Sequence, residues 1–224
     1  MKHIVVTGTS RGIGLELAQQ LSEKHKVLAL SRQVAPQLLG LPNVTNLRVD
    51  LTTAEGLQQV VDYLTASGAQ VDTVIHNAGA LLNKPFEELT QADFLQVYSV
   101  NVFAVAQLTQ KVLPYMNRGS HVLTISSMGG VQGSAKFPGL AAYSSSKGAV
   151  ITLSELLAEE YKSAGISFNV LALGAVQTEM LQEAFPGYQA PVSASQMASY
   201  IAEFALSGHQ FYNGKVLQVS SSTP

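Results

Sequence analysis

The stretch that decides the fold is His3-Ile4-Val5-Val6-Thr7-Gly8-Thr9-Ser10-Arg11-Gly12-Ile13-Gly14. Residues 4–6, after His3, are apolar on consecutive positions, as in a strand covered on both faces of a parallel sheet,. The strand runs straight into a glycine-rich turn, and helical periodicity follows over residues 14–24. Glycines at a strand-to-helix turn allow close approach that a side chain would block. The free N–H groups and dipole of the helix start favour a pyrophosphate there. The spacing is G-x-x-x-G-x-G, not the commoner G-x-G-x-x-G of dinucleotide sites. A plain tight turn is the competing reading of such a cluster. Its place after an N-terminal strand favours the nucleotide.

Outward from this turn the pattern repeats. Short runs rich in Val, Ile and Leu lie at 27–30, 46–49, 73–76, 121–125, 167–173 and 216–219. Segments of helical period lie between them, at 54–67, 91–116, 142–164 and 195–206. Strand and helix in alternation specify an α/β chain with a doubly wound parallel β-sheet flanked by helices on both faces. With no internal repeat or Pro/Gly-rich linker, residues 1–224 read as a single domain. The 91–116 segment is apolar around most of its circumference, as expected of a helix buried against more than its own sheet. The helix from Ala142 is expected to face inward through Val150, Leu153, Leu157 and Tyr161, with Gly165 as its stop.

Composition narrows the function. Of 224 residues, 46% are hydrophobic and 12% charged, against about 25% charged in an ordinary soluble domain. Thirteen Lys+Arg against fifteen Asp+Glu leave a net charge of −2, so no basic field awaits nucleic acid. The chain has no cysteine, which excludes disulfides, thiolate metal sites and a cysteine nucleophile. The five histidines show no metal-ligand spacing,. No signal peptide and no apolar run of about 18 residues is evident; a cytoplasmic protein with no membrane partner is expected. The surplus of apolar residues points to buried sheet faces or a subunit interface.

Two further motifs carry chemistry. Tyr143-Ser144-Ser145-Ser146-Lys147 places a phenol and an ammonium four residues apart on one helix face,. A free tyrosine has a pKa of about 10, and a neighbouring ammonium is expected to bring it toward working pH. By chance this pattern is common, usually as a solvated helix face. Ser126-Ser127 ends the strand at 121–125, where the C-terminal edge of a parallel sheet opens onto a ligand crevice.

With the glycine turn, these residues identify the chain as a member of the short-chain dehydrogenase/reductase family, whose first turn reads T-G-x-x-x-G-I-G. Thr7, Gly8, Gly12, Ile13 and Gly14 match every fixed position, and further motifs follow in order across nearly the whole chain. The resemblance implies a Rossmann-type fold and a catalytic set of Asn101, Ser127, Tyr143 and Lys147. It also implies cofactor contacts from Gly8, Ser10, Arg11, Gly12, Ile13, Gly14, Ser31, Arg32, Asp50, Leu51, Asn77, Ala78, Gly79, Tyr143, Lys147, Gly174, Val176 and Thr178. Asp50 would accept from the adenine amino group; a helix cap is its alternative. Asn77-Ala78-Gly79 matches the family's N-A-G element, and Asn101 its helix asparagine, for which a structural role is the alternative. His76 reads as structural. Leu173 stands where the family has proline, which puts the backbone at Gly174 in doubt. Ser220-Ser221 replace the family's D-G-G ending.

No carboxylate follows the second strand, where one would bind a ribose 2′-hydroxyl. Arg32 there, with Arg11 as a second cation, can pair with a 2′-phosphate, against the alternative of two solvated surface arginines. The expected cofactor is therefore NADP(H), with NAD(H) as the alternative, and no metal. The expected reaction interconverts a carbonyl and an alcohol by hydride transfer, with tyrosine as general acid/base. An NADP-binding regulatory protein with little turnover is the alternative. Met128, Phe137, Met180 and Phe185 are expected to line the pocket of a small-molecule substrate, partly on a short segment near 179–192. The apolar helices suggest a homodimer or homotetramer.

Overall fold

The computed structural model describes residues 1–220. Its strands are β1 (His3–Thr7), β2 (Lys26–Ser31), β3 (Val44–Arg48), β4 (Val71–His76), β5 (Met116–Ser127), β6 (Ser167–Leu173), β7 (Val176–Gln177), β8 (Val192–Ser193) and β9 (Lys215–Val219). Its helices are α1 (Gly12–Ser22), α2 (Ala54–Ser67), α3 (Gln91–Tyr98), α4 (Ala104–Val112), α5 (Ala141–Glu160), α6 (Glu179–Ala184) and α7 (Ala194–Ser207). Seven strands form one parallel sheet in the order β3-β2-β1-β4-β5-β6-β9. This is the doubly wound parallel sheet expected from the alternation of apolar runs, in the Rossmann-like arrangement that the family resemblance implies. The order reverses between β1 and β4, so a crevice opens beyond their carboxyl ends.

Side-chain alternation along each strand feeds two cores. Ile4 and Val6 pack with Leu17 and Leu21 of α1 and Ile201 and Phe204 of α7. Val5, between them, packs on the other face with Val60 and Leu64 of α2 and Leu108 and Val112 of α4. Both faces are covered, which explains why the strands read as continuous apolar runs.

Two expectations need correction. Residues 91–116 are not one helix. Thr90 caps α3 in a reciprocal capping box with Asp93, and a π-helical turn over Ser99–Phe103 separates α3 from α4. Pro114, which cannot donate to a helix ladder, lies in the 3₁₀ turn Leu113–Tyr115, and Met116 already begins β5. Nor is the segment buried all round: Leu95 and Phe103 are 50% and 46% exposed.

The second correction concerns α5. Its buried line is Ala142, Ser146, Val150, Ser154 and Ala158, in steps of four; Leu157 and Tyr161 are half-buried but pack against the core as expected, and Leu153 is half-buried. Small residues face the sheet because the helix backbone comes close to it: the Ser126 hydroxyl donates to the Lys147 carbonyl at 2.9 Å. The helix ends at Glu160, before Gly165.

The short pair β7–β8 pairs Val176 with Val192 and Gln177 with Ser193. It closes the base of the segment that carries α6. Among the described residues no helix is long and apolar enough to cross a membrane.

Candidate active site

A cleft of about 1500 Å³ runs along the carboxyl ends of β1, β2, β4, β5 and β6. Its wall contains Gly8, Ser10, Arg11, Gly12, Ile13, Ser31, Arg32, Asp50, Leu51, Asn77, Ala78 and Gly79 toward one end. Ser127, Tyr143, Lys147, Gly174, Val176 and Thr178 stand toward the other. Met128, Phe137, Met180 and Phe185 line the same cleft. Two sequence-selected residues lie behind the wall rather than on it, Gly14 and Asn101.

Gly14 explains the shape of the turn. A Cβ there would lie 2.1 Å from the Gly8 carbonyl oxygen, so any side chain would force the turn and α1 apart. The N-cap of α1, Arg11, makes no side-chain capping bond, and no acidic residue stands in the first turn. The positive end of the helix therefore faces the cleft with no carboxylate of its own first turn, although Glu179 of α6 stands close to Gly12,. Thr7 locks this turn to the next strand end, its hydroxyl accepting from the backbone N–H of Asn77 at 3.0 Å and of Ala78 at 2.9 Å. The Asn77 amide donates back to the Thr7 carbonyl at 3.0 Å. A close-fitting glycine cradle at an uncapped helix start suits a dinucleotide pyrophosphate.

At the far end of this half, Asp50 does not cap α2; Thr53 does, accepting from Gly56 N at 3.1 Å. Asp50 accepts instead from the Thr52 hydroxyl at 2.7 Å and its amide at 2.9 Å. These bonds, with the charge of Arg32 assisting, hold its carboxyl below the usual range. Arg11 reaches across the cleft to α6, both guanidinium Nη atoms donating to the Glu183 carboxylate. Arg48, at the end of β3, also lines the cleft beside Arg32.

The catalytic half is held by buried bonds. Lys147 is buried and its ammonium donates to the Ile125 carbonyl at 2.8 Å, 5.8 Å from the centre of the Tyr143 ring. Burial lowers its pKa to about 8. Ser127 accepts from Gly129 N at 3.2 Å. Burial pushes the Tyr143 pKa up, and the nearby Ser127 hydroxyl draws it partly back. The Lys147 charge takes no part in that shift. The Lys147 ammonium is spent on a backbone carbonyl, so desolvation of the phenolate is the larger effect.

Asn101 sits on the π turn, fully buried. Its Oδ1 accepts from Ala80 N at 2.7 Å, and its Nδ2 donates to the Ala80 carbonyl and the Ser146 hydroxyl, each at 2.9 Å. It thus ties the chain after β4 to the Tyr/Lys helix. Gly130 lets the loop after Ser127 lie on the same helix: a Cβ there would come within 2.6 Å of the Lys147 carbonyl carbon. His76 is buried against the Thr109 hydroxyl at 2.9 Å and takes no part in the cleft.

The strand runs through Leu173 without the family's proline. Leu173 pairs with Ser127 and Val219, and Gly174 N donates to the Val219 carbonyl at 2.9 Å. The turn is thus held by sheet bonds instead of a fixed φ. Ser221 lies outside the described residues. Thr178 caps α6, accepting from Leu181 N at 3.3 Å, and Asn83 holds the end of that helix by donating to the Ala184 carbonyl at 2.9 Å.

Sequence reasoning passed over Gln96, Ser144 and Arg48, all on the cleft wall. Ser144 follows Tyr143 directly and could have been found from that. Gln96 has no sequence signal, and Arg48 is explained only by the pairing of β3 with β2.

A family model for the short chain dehydrogenases matches residues 2–189. The chain belongs to this family. The 3-oxoacyl-[acyl-carrier-protein] reductase FabG of Escherichia coli (strain K12) is 27% identical to it, the match covering 98% of this chain and 96% of that one. Other relatives, 29% to 36% identical, are longer, and the chain spans 57% to 74% of their length. Two solved structures share the fold. A 4-hydroxyisoleucine dehydrogenase complexed with NADH has a TM-score of 0.88 at 21% identity, with 99% of this chain and 98% of that one covered. A short chain dehydrogenase from Burkholderia cenocepacia J2315 in complex with NADP has a TM-score of 0.87 at 23% identity, covering 99% and 97%. The protein is an oxidoreductase of the class that acts on carbonyl and alcohol groups.

Proposed function

We propose that this short-chain dehydrogenase is an NADP(H)-dependent reductase of an uncharged, largely apolar ketone or aldehyde. The observation that carries the reading is the grouping of Ser127, Tyr143 and Lys147 on one wall of a cleft whose other end is the α1 cradle. When bound, the nicotinamide cofactor supplies hydride to a carbonyl carbon or takes it from the alcohol. The glycine turn and α1 would hold its pyrophosphate, Asp50 its adenine, and Val176 and Thr178 its nicotinamide amide.

The chain's own residues then act on the oxygen. The Tyr143 hydroxyl donates its proton as the carbonyl oxygen gains charge, and Ser127 steadies that charge with a hydrogen bond that strengthens as the charge develops. The upward-shifted phenol suits reduction, in which tyrosine must enter protonated. Lys147 keeps a positive charge below about pH 8 and stabilises the phenolate left on Tyr143 once its proton has gone to the substrate oxygen. Asn101 fixes the distance between the strand end and α5, and supports proton resupply behind Lys147. Met128, Phe137, Met180 and Phe185 surround the substrate with apolar surface, which excludes water from the reacting oxygen.

A single dinucleotide-binding domain with a short substrate segment at 179–192 suits this role. Leu95, Phe103 and Leu156, 50%, 46% and 62% exposed on α3, the π turn and α5, form an apolar surface for a homodimer or homotetramer. The test is a panel of neutral carbonyl compounds assayed with NADPH and NADH in parallel. Turnover of an apolar ketone or aldehyde, faster with NADPH, is expected. Tight NADPH binding with no turnover across the panel would favour the regulatory alternative.

A further inference from the structure

We propose that Arg48, together with Arg32, forms a two-guanidinium clamp for the 2′-phosphate of the cofactor, and that Arg48 is a specificity-determining residue. The inference rests on the NADP(H) reading above and names the groups that would carry it. It starts from strand register: β2 and β3 pair in parallel with Ser31 opposite Arg48, which brings Arg48 to the carboxyl edge of the sheet one residue out of register with Arg32. Both line the cleft there.

The Arg48 Nε donates to the Arg32 carbonyl at 3.2 Å. That bond fixes the root of the guanidinium to the β2 end and leaves its Nη protons for another acceptor. Among the described residues neither arginine forms an ion pair. The nearby carboxylate, Asp50, is already satisfied through Oδ1 by Thr52. Asp50 is the carboxylate whose charge Arg32 reaches; its single charge is outnumbered by the two guanidinium groups, which a doubly charged phosphate monoester can engage in two charge-assisted contacts. Arg11, the other guanidinium on the cleft wall, is taken up by Glu183 on both Nη atoms. The second cation is therefore supplied from β3.

The test is isothermal titration of wild type and Arg48→Gln with NADPH, NADH and the fragments 2′,5′-ADP and 5′-AMP, at two salt concentrations. The substitution should weaken NADPH and 2′,5′-ADP binding roughly 10-fold, the scale of one lost charge-assisted bond. NADH and 5′-AMP should be unaffected, and the salt dependence of NADPH binding should become shallower. In turnover, KM for NADPH should rise while kcat holds. Arg48→Lys, which keeps the charge without the Nε anchor, should fall between the two. A wild type that binds NADPH no better than NADH would sink the cofactor reading itself. A wild type that prefers NADPH, with the preference intact in Arg48→Gln, would overturn the role of Arg48 alone. Equal weakening of NADPH and NADH in a variant of unchanged melting temperature would also overturn it.

Discussion

At the end of the cleft that holds Ser127, Tyr143 and Lys147, polar groups are buried or half-buried and are tied into bonds with backbone. At the end that holds Arg32 and Arg48, and on the rim where Arg11 meets Glu183, charged groups stand in solvent. The difference follows from what each end must do. A proton donor needs its pKa and direction fixed, and burial amplifies every electrostatic interaction that fixes them. A cofactor's phosphate needs cations that can be reached, and exposed pairs cost little to rearrange. Changes at the buried end should therefore be large and indifferent to salt, whereas changes at the exposed end should be small and salt-sensitive.

The largest effect is expected from Tyr143→Phe. Loss of the proton donor should lower kcat by roughly 10³-fold, within the range of general acid catalysis, while NADPH titrates as in wild type. Unchanged turnover would remove tyrosine from the mechanism. Next is Asn101→Ala, which strips partners from the half-buried backbone N–H and carbonyl of Ala80 and from the buried Ser146 hydroxyl. A loss of about 2–3 kcal/mol of stability is expected from such unsatisfied groups, read as a lower midpoint in urea, together with reduced kcat. A variant of full stability would show that the buried end is less tightly coupled than the bonds suggest.

A pH profile sharpens the comparison further. Lys147 has a pKa lowered to about 8, so it is charged below that pH and neutral above. The rate of carbonyl reduction should be level below about pH 8 and fall roughly tenfold per unit above it. A profile that stays level to pH 10 would mean the lysine charge does not matter. The smallest effect is at the rim. Arg11 and Glu183 are 47% and 61% exposed, and Glu183→Gln should change stability by less than about 1 kcal/mol, with any effect erased in high salt. A larger, salt-independent loss would show that α6 is held as firmly as α5.

The same contrast marks what the sequence makes legible. The parallel sheet can be read because strands covered on both faces must be apolar at every position, as in Ile4-Val5-Val6. Ser127, Tyr143 and Lys147 can be read because strand-end position and helical spacing bring them to one crevice. The break in the 91–116 segment cannot, because the π turn that buries Asn101 is tied to Ala80 and Ser146, far away in the chain. The buried face of α5 is hidden because Ser154 and Ala158 look less like a core than Leu153 and Leu157 do. The direction of the Tyr143 shift is hidden too, since it depends on where the Lys147 ammonium points. Arg48 acquires meaning only from its pairing register with Ser31.

The measurement that tests the central claim most directly is label transfer. NADPH carrying deuterium at both C4 positions of the nicotinamide is incubated with the enzyme and a carbonyl compound that it turns over, and the alcohol is analysed by mass spectrometry. One deuterium on the former carbonyl carbon, formed by wild type and lost with Tyr143→Phe, is the predicted result. An alcohol without the label, or labelled alcohol formed as fast by Tyr143→Phe, would contradict the account.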